Sequence, residues 1–352
     1  MRRLAWLLAL STLGCKPPPA TPLGDDAAYE DLTDQVVVEV LTEDGGRVDW
    51  GAATGLVAFD RLGADGFFDV WTMRPDGTDA RCLTCETPGL PTRNVGQPAW
   101  HPSGEWLVVQ AEKAESDARA YASHPGRGSR NDLWLVRADG ASAYPLTDVP
   151  DEAGHGVLHP HFFGDVLTWS QMVGGVEPTR DGLLGFWELR RATLALDPEP
   201  HLEDARATDL GHDGFFESHG LSPDGARWIF SANLGDTGLG ELNDIYTIDA
   251  ESLDDLEPVT TAAYNEHATF TPDGARVVWM SNAGNRDRST DWWWMGTDGA
   301  GLARLTRIDD GPGRAVAADL SFGPDGRSFV GYVQRGVGGE TGSIVRVTLP
   351  EE

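Results

Sequence analysis

Lysine is almost missing from this chain: Lys16 and Lys113 are the only two in 352 residues, and arginine supplies the rest of the positive charge. Acidic residues outnumber basic ones by 56 to 27, for a net charge of −29. Nucleic acid and anionic lipid head groups are therefore excluded as expected partners, because the summed field repels them. Cysteine is nearly as scarce, present only at positions 15, 82 and 85. The pair in RCLTCETP does not complete a tetrahedral zinc site, and no histidine follows Cys85, which excludes c-type haem attachment. The stretch runs into proline and has no helix start to activate a thiol, so thioredoxin chemistry is excluded too. In an oxidising compartment Cys82 and Cys85 are expected to close a local disulfide. No segment sustains a helical hydrophobic period, which argues against a Rossmann or hydrolase sheet, and no G-x-S-x-G motif occurs.

The apolar run from Leu4 to Leu13 follows Arg2 and Arg3 and ends at Gly14-Cys15. It is too short to span a bilayer and has the order of an export signal. The Gly-Cys end resembles a bacterial lipoprotein signal, which implies cleavage before Cys15 and acylation of its thiol. Thr12 and Leu13 depart from the residues that family prefers there. The division expected is a signal over 1–15, a proline-rich tether over 16–34 and a single body over 35–352. The tether follows from KPPPATPLGDD, which has no apolar period. The expected address is the cell envelope, anchored by lipid and facing the periplasm or the surface.

The body is repetitive. WHPSGEWLVV (100–109), LSPDGARWIF (221–230), FTPDGARVVW (270–279) and FGPDGRSFVG (322–331) are copies of one strand-turn-strand unit, with a degraded copy, FFGDVLTW, at 162–169. Asp and Gly tolerate the backbone such turns require. A second unit follows each first unit and ends in Leu-Thr or Val-Thr: FDVWTMRPDGTDARCLT, DLWLVRADGASAYPLT, DIYTIDAESLDDLEPVT and DWWWMGTDGAGLARLT. Together they predict a four-stranded antiparallel sheet repeated along the chain. Such sheets bury both faces only by radial packing, so the fold class expected is an all-β propeller of about six blades. Five blades show their first turn; a sixth is represented by its later strands over 55–84. The last blade lacks an outer strand, and QVVVEVLT (35–42) is a strand without a blade, so pairing the two closes the ring and hides both edges.

These repeats resemble WD40-like propeller repeats of the TolB type, over roughly residues 35–352. The S-P-D-G turn, the aromatic after it, the Asp-(Ile/Leu)-(Tyr/Trp) strand and the closing Leu-Thr carry the likeness. TolB has an additional α/β domain before its propeller that this sequence does not match, so its envelope partnership is not carried over. Propellers of this kind also precede the hydrolase domain of prolyl-oligopeptidase-like peptidases. The missing nucleophile elbow sets that chemistry aside. Oligogalacturonate lyases are similar as well and use a histidine-rich manganese site.

Counting back from each turn proline places Gln97, His267 and Asp319 at one position. His159 joins them if Gly164 replaces the proline, and His219 lies one residue closer to its turn. Equivalent inner-strand positions face one another around a propeller's axis. Gln97, His159, His219, His267 and Asp319 are thus expected to form a polar ring at one channel mouth, bordered by Glu217 and Glu266. Neutral imidazoles of His159, His219 and His267 are the candidate ligands for a divalent metal; the alternative is a wet channel lining with no cofactor. Asp69, Asp132, Asp244 and Asp291, which open the third strands, read either as calcium ligands with Asn285 and Asp287 or as turn-stabilising acceptors. Insertions at 111–131 and 172–186 are expected to emerge on one rim, the first locally basic through Tyr121, His124, Arg127 and Arg130. The function expected is non-enzymatic recognition of an envelope protein or glycan by a monomer. The alternative is a metal-dependent propeller enzyme resembling the lyases.

Overall fold

The computed structural model describes residues 28–118, 121–176, 185–208, 210, 214–234, 243–285, 289–308, 314–335 and 342–350. They form six antiparallel blades, with no α-helix among the described residues. Taking strands from the axis outward, blade 1 holds Val48–Trp50, Val57–Leu62, Phe68–Met73 and Arg81–Cys82; blade 2 holds Val95–Trp100, Trp106–Glu112, Asn131–Arg137 and Ala143–Pro145. Blade 3 holds His155–Phe163, Val166–Gly174, Phe186–Ala195 and His201–Ala207; blade 4 holds Phe216–Leu221, Arg227–Ala232, Asp244–Asp249 and Glu257–Pro258. Blade 5 holds Asn265–Phe270, Arg276–Ser281, Asp291–Gly296 and Ala303–Arg304; blade 6 holds Ala315–Phe322, Ser328–Arg335 and Gly342–Thr348.

The missing outer strand of blade 6 comes from the other end of the chain. Val37–Gly45 pairs antiparallel with Gly342–Thr348, so the ring is stapled by its two ends. Blade 1 also packs on blade 6 through one apolar cluster that includes Val57, Phe59, Val330 and Ile344. Asp49 adds a polar link across three blades: its carboxylate accepts the Ser321 hydroxyl at 2.7 Å and the Trp100 amide at 2.6 Å. The innermost strand of blade 1, absent from the repeat pattern, is short because its turn uses Gly51 and Gly55 instead of Pro-Asp-Gly.

The repeat residues act through two local devices. In the first turn, the aspartate accepts the amide two residues on, at 3.0 Å in Asp224, 2.9 Å in Asp273 and 2.9 Å in Asp325. The glycine between adopts positive φ, 73°, 71° and 65° at Gly225, Gly274 and Gly326. In the second device, the Thr of each closing Leu-Thr or Val-Thr turns back on the third strand. Its hydroxyl donates to the opening aspartate and accepts the next amide: Thr84 with Asp69 and Val70, Thr147 with Asp132 and Leu133, Thr260 with Asp244 and Ile245, Thr306 with Asp291 and Trp292. The aspartates therefore clasp a threonine more than a loop backbone, although Val149 and Ile308 also donate amides to Asp132 and Asp291. At Asp291 a buried Arg304 guanidinium takes the second carboxylate oxygen, so a cation already neutralises the group expected to attract calcium. Asp287 lies outside the described residues.

Tryptophan fills the wedge-shaped gaps between blades. Trp228, Trp279, Trp292 and Trp293 are among the largest fully buried side chains, and burying each large apolar group stabilises the fold by about 1.5–3 kcal/mol. Residues 28–34, expected to belong to the tether, pack on the ring. Glu30–Asp31 adds a parallel fifth strand to blade 5, Leu32 is buried, and Tyr29 packs edge-on against Trp293 at 4.8 Å. Residues 28–34 are thus docked, because Trp293 and the free edge at Ala303–Arg304 offer both apolar and backbone partners. The signal, Cys15 and the Pro-rich stretch lie outside the described residues.

Candidate functional site

Each innermost strand carries an irregularity at the same height. Two residues face one partner at Gln97-Pro98, His159-Pro160, His219-Gly220, His267-Ala268 and Ala318-Asp319. In blade 1 Asp60 bonds both Gly46 and Arg47, which puts Arg47 in the same layer. Such bulges re-aim side chains. Here they turn Arg47, Gln97, His159, His219 and His267 to the axis, one from each of five blades. Blade 6 has the small Ala318 in that slot and contributes Asp319 from the next. His219 therefore matches His267 directly; blade 4 simply has one residue fewer between bulge and turn. Gln97, His159 and His267 hold left-handed backbone, with φ of 46°, 52° and 51°. That conformation costs a non-glycine residue about 1–3 kcal/mol and clusters at functional sites.

The ring is inside the channel and not at its mouth, since the bulges fall in mid-strand. His159 is 4% exposed, His219 6% and Gln97 4%. The imidazoles of His159, His219 and His267 make a near-equilateral triangle, with centroids 5.9, 5.4 and 5.6 Å apart. His161, two residues beyond His159, lies 6.5 Å from it in a stacked arrangement. Two carboxylates join the cluster. Glu217 Oε1 is 2.5 Å from His159 Nε2, and Asp319 Oδ1 is 3.2 Å from His267 Nδ1 and 3.5 Å from His159 Nδ1. His219 Nε2 lies 2.6 Å from the Ser231 hydroxyl and 3.7 Å from Glu217.

Burial pushes the Glu217 carboxyl up, but His159, His267 and His219 outweigh it and hold the group at about 2. Asp319 is likewise raised by burial and then carried well below the usual carboxylate range by His267, His159 and Arg47. Burial lowers His267, yet Asp319 and Glu217 raise it to about 10. Burial lowers His161 to about 4, with His159 adding to the effect, and takes His219 well below its ordinary value. Asp319 and Glu217 thus favour a proton on His267, which would have to leave for that imidazole to ligate a metal, while burial favours the neutral form of His161 and His219. Farther along the axis, burial and Glu217 raise Glu266 to about 7, where Tyr264 and Asn243 donate to it.

The donor set fits a divalent transition metal. Three groups of ligand atoms lie within 4.8 Å of one another: His159, His161 and His219; His159, His267 and Asp319; Glu217, His219 and His267. Imidazole nitrogen with carboxylate oxygen suits zinc, manganese, iron or copper. Several atoms of the same cluster are buried with no hydrogen-bond partner: Glu217 Oε2, His161 Nε2 and Gln97 Nε2. Buried polar atoms are rarely left so, and a concentration of them marks the place of an ion or polar ligand.

The two ends of the channel differ. On the turn side a cavity of about 140 Å³ opens between Phe270 and Phe322 and reaches His161, His219, His267 and Asp319. On the other side the blade 2 insertion folds inward and does not form an outer rim. Its hydrogen bonds include Ser123 Oγ to the Ser129 carbonyl at 2.8 Å and Arg130 amide to the His155 carbonyl at 2.7 Å. Pro125 sits so close to Gly96 that a Cβ there would come within 2.3 Å, and Gly126 rests equally closely on the Arg47 guanidinium. The basic residues of this loop serve the channel and its walls: Arg127 faces Arg47, Tyr264, Glu266 and Glu217, and Arg130 pairs with Asp117 and Asp151. Of the second insertion, 177–184 lies outside the described residues.

Cys82 and Cys85 form a disulfide, with Cα atoms 5.9 Å apart, at the outer edge of blade 1. Their thiols are therefore not metal ligands beside Asp69. Sequence reasoning missed Arg47, His161 and the central place of Glu217. Trp50, three residues after Arg47, matches Trp100, three after Gln97, and that alignment was the available signal for Arg47.

No protein-family model and no curated protein matches this sequence. Solved structures do. A gluconolactonase from Xanthomonas campestris aligns over 95% of this chain and 99% of its own, with TM-score 0.58 and 15% identity. TolB from Acinetobacter baumannii aligns over 89% of this chain at TM-score 0.54 and 15% identity, and the chain spans 65% of that protein's length. An oligogalacturonate lyase in complex with manganese aligns over 92% of this chain and 96% of its own, at TM-score 0.52 and 15% identity. Identities this low carry the propeller fold and nothing finer.

Proposed function

We propose that this chain is an exported, lipid-anchored propeller of the cell envelope that holds one divalent transition metal in its channel and uses it to recognise a ligand entering by the open mouth. His159, His219 and His267 would hold the ion, with Asp319 and Glu217 as the carboxylates. Bound there, the metal would supply a Lewis-acidic centre for an oxygen-bearing ligand. The observation carrying this reading is the triangle of imidazoles, 5.4–5.9 Å between centroids, with orphaned buried nitrogen and oxygen atoms around it. The sequence put metal-free recognition first; the imidazole triangle is what supports placing the metal-bound reading ahead of it. The ligand class is an envelope glycan or protein that presents one small group to the open mouth.

The manganese-bound lyase of the same fold favours a second reading, a metal-dependent eliminase acting on acidic sugars. An eliminase would turn over oligogalacturonate with a rise in ultraviolet absorbance from the unsaturated product; a recognition module would not.

Elemental analysis of protein purified without chelator tests the metal. One equivalent of a transition metal per chain is expected, falling sharply in His159→Ala, His219→Ala and His267→Ala. Wild-type protein with no stoichiometric metal, and no uptake of zinc or manganese on dialysis, would overturn the reading.

A further inference from the structure

The ring has two unlike halves. Blades 3 to 5 present imidazoles to the axis, whereas blades 1 and 2 present Arg47 and Gln97. Both of these donors are under-used. The Gln97 carboxamide oxygen accepts the His159 amide at 2.9 Å, which orients the group and leaves Nε2 buried with no partner. The Arg47 carbonyl accepts the Asp60 amide, but its guanidinium makes no hydrogen bond or ion pair with any described residue. Its guanidinium lies over the Tyr332 ring at 5.5 Å and is attracted through space by Asp60, Asp319 and Glu217 without touching them. Gly126 packs against it from the insertion, and the next residue, Arg127, brings a second guanidinium within electrostatic reach.

A buried charge without a hydrogen-bonded partner is costly, and two like charges in one chamber add to the cost. Asp60, Asp319 and Glu217 offset part of that charge through space, so the two donors, Arg47 and Gln97, lack a bonded acceptor more than they lack countercharge. An oxyanion would satisfy Arg47 and Gln97 at once and give the guanidinium a charge-assisted bond, about twice as strong as one between neutral groups.

We propose that Arg47 and Gln97 Nε2, with Arg127 beside them, form an oxyanion subsite across the axis from the imidazole cluster, and that the channel's ligand carries a carboxylate. A planar carboxylate matches the guanidinium fork and still offers an oxygen lone pair to the amide donor. Access is from the open mouth, whose cavity is lined in part by Val48 and Pro98, the chain neighbours of Arg47 and Gln97. At about 140 Å³ that cavity suits a small acid or one acidic unit of a larger molecule. The proposal names the ligand class of the site above and rests on that reading for the metal alone, since its donors belong to blades 1 and 2.

Malonate is the probe, titrated by calorimetry into the full-length protein before and after metal loading, with inorganic phosphate as comparator. Malonate should bind more tightly than phosphate, and Arg47→Met should weaken it about tenfold or more, the loss of one charge-assisted contact. Gln97→Glu keeps an oxygen for the His159 amide and replaces the orphaned donor by a negative acceptor, so it should weaken malonate comparably in a protein that still folds. Unchanged malonate affinity in both variants would overturn the subsite, as would phosphate binding at least as well as malonate. Metal uptake without any malonate binding would overturn it too, while leaving the metal reading in place. Malonate binding that depends on Arg47 in protein taking up no metal would support the subsite and remove the metal reading.

Discussion

His267 Nδ1 lies 3.2 Å from Asp319 Oδ1, across the seam between blades 5 and 6. The contact exists because the bulge in blade 5 aims the first of its two residues at the axis, while blade 6 aims the second of its pair. Blade 6 can do so because Ala318, in the first slot, takes up little room. The same logic brings Arg47 beside Asp319 on the other side of blade 6, so Asp319 feels both an imidazolium and a guanidinium.

The Asp–Thr clasp predicts graded losses of stability. Thr260→Val removes the hydroxyl that accepts the Ile245 amide and donates to Asp244, at a cost of about 1–3 kcal/mol in chemical denaturation. Asp291→Ala should cost more, about 3–5 kcal/mol, because it leaves the buried Arg304 without its carboxylate. Equal effects would mean that the ion pair adds nothing to the clasp.

Ring closure predicts a larger change. Deleting residues 35–42 removes most of the strand that covers the Gly342–Thr348 edge. The expected outcome is aggregation, or a melting temperature lower by about 10 °C or more. An unaltered melting curve would show that the blades close without the staple.

Asp60 predicts a pH dependence. Burial raises its carboxyl from 3.8 to about 6, with Arg47 opposing the rise. Between those values the folded chain holds a proton that the unfolded chain has released. The contribution is therefore fully present below 3.8 and is lost as pH rises through about 6. Relative to Asp60→Asn, the wild type should lose up to about 3 kcal/mol of stability between pH ~4 and ~7. Parallel stability curves for the two proteins would place Asp60 at an ordinary value.

The anchor predicts a fractionation result. Cys15→Ser should shift the protein from the detergent phase to the soluble fraction, or leave the signal uncleaved. Unchanged partitioning would rule out acylation at Cys15.

The propeller was legible because its devices are local. A Pro-Asp-Gly turn, an opening Asp and a closing Thr each act within a few residues or across one hairpin, so each copy states its own structure. The first half of blade 1 was not legible, since its turn is built on Gly51 and Gly55 and lacks that signature. The docking of residues 28–34 was hidden for another reason: Glu30–Asp31 becomes a strand only where the edge of blade 5 is available to pair with it.

At the channel, sequence by itself determined which inner-strand residues were candidates for the axis: Gln97, His159, His219, His267 and Asp319 all lie four or five residues before the turn. Tertiary structure decided what they touch. Spacing from a turn does not reveal a bulge, and the bulge sets whether the first or second residue of a pair reaches the axis. Nor does it reveal depth, so the expected mouth proved to be a buried mid-channel ring. Only closing six blades around one axis brings Arg47, from the start of the ring, next to Asp319 at its end. Charges so distant in the chain interact strongly because the closed ring removes the water that would otherwise screen them.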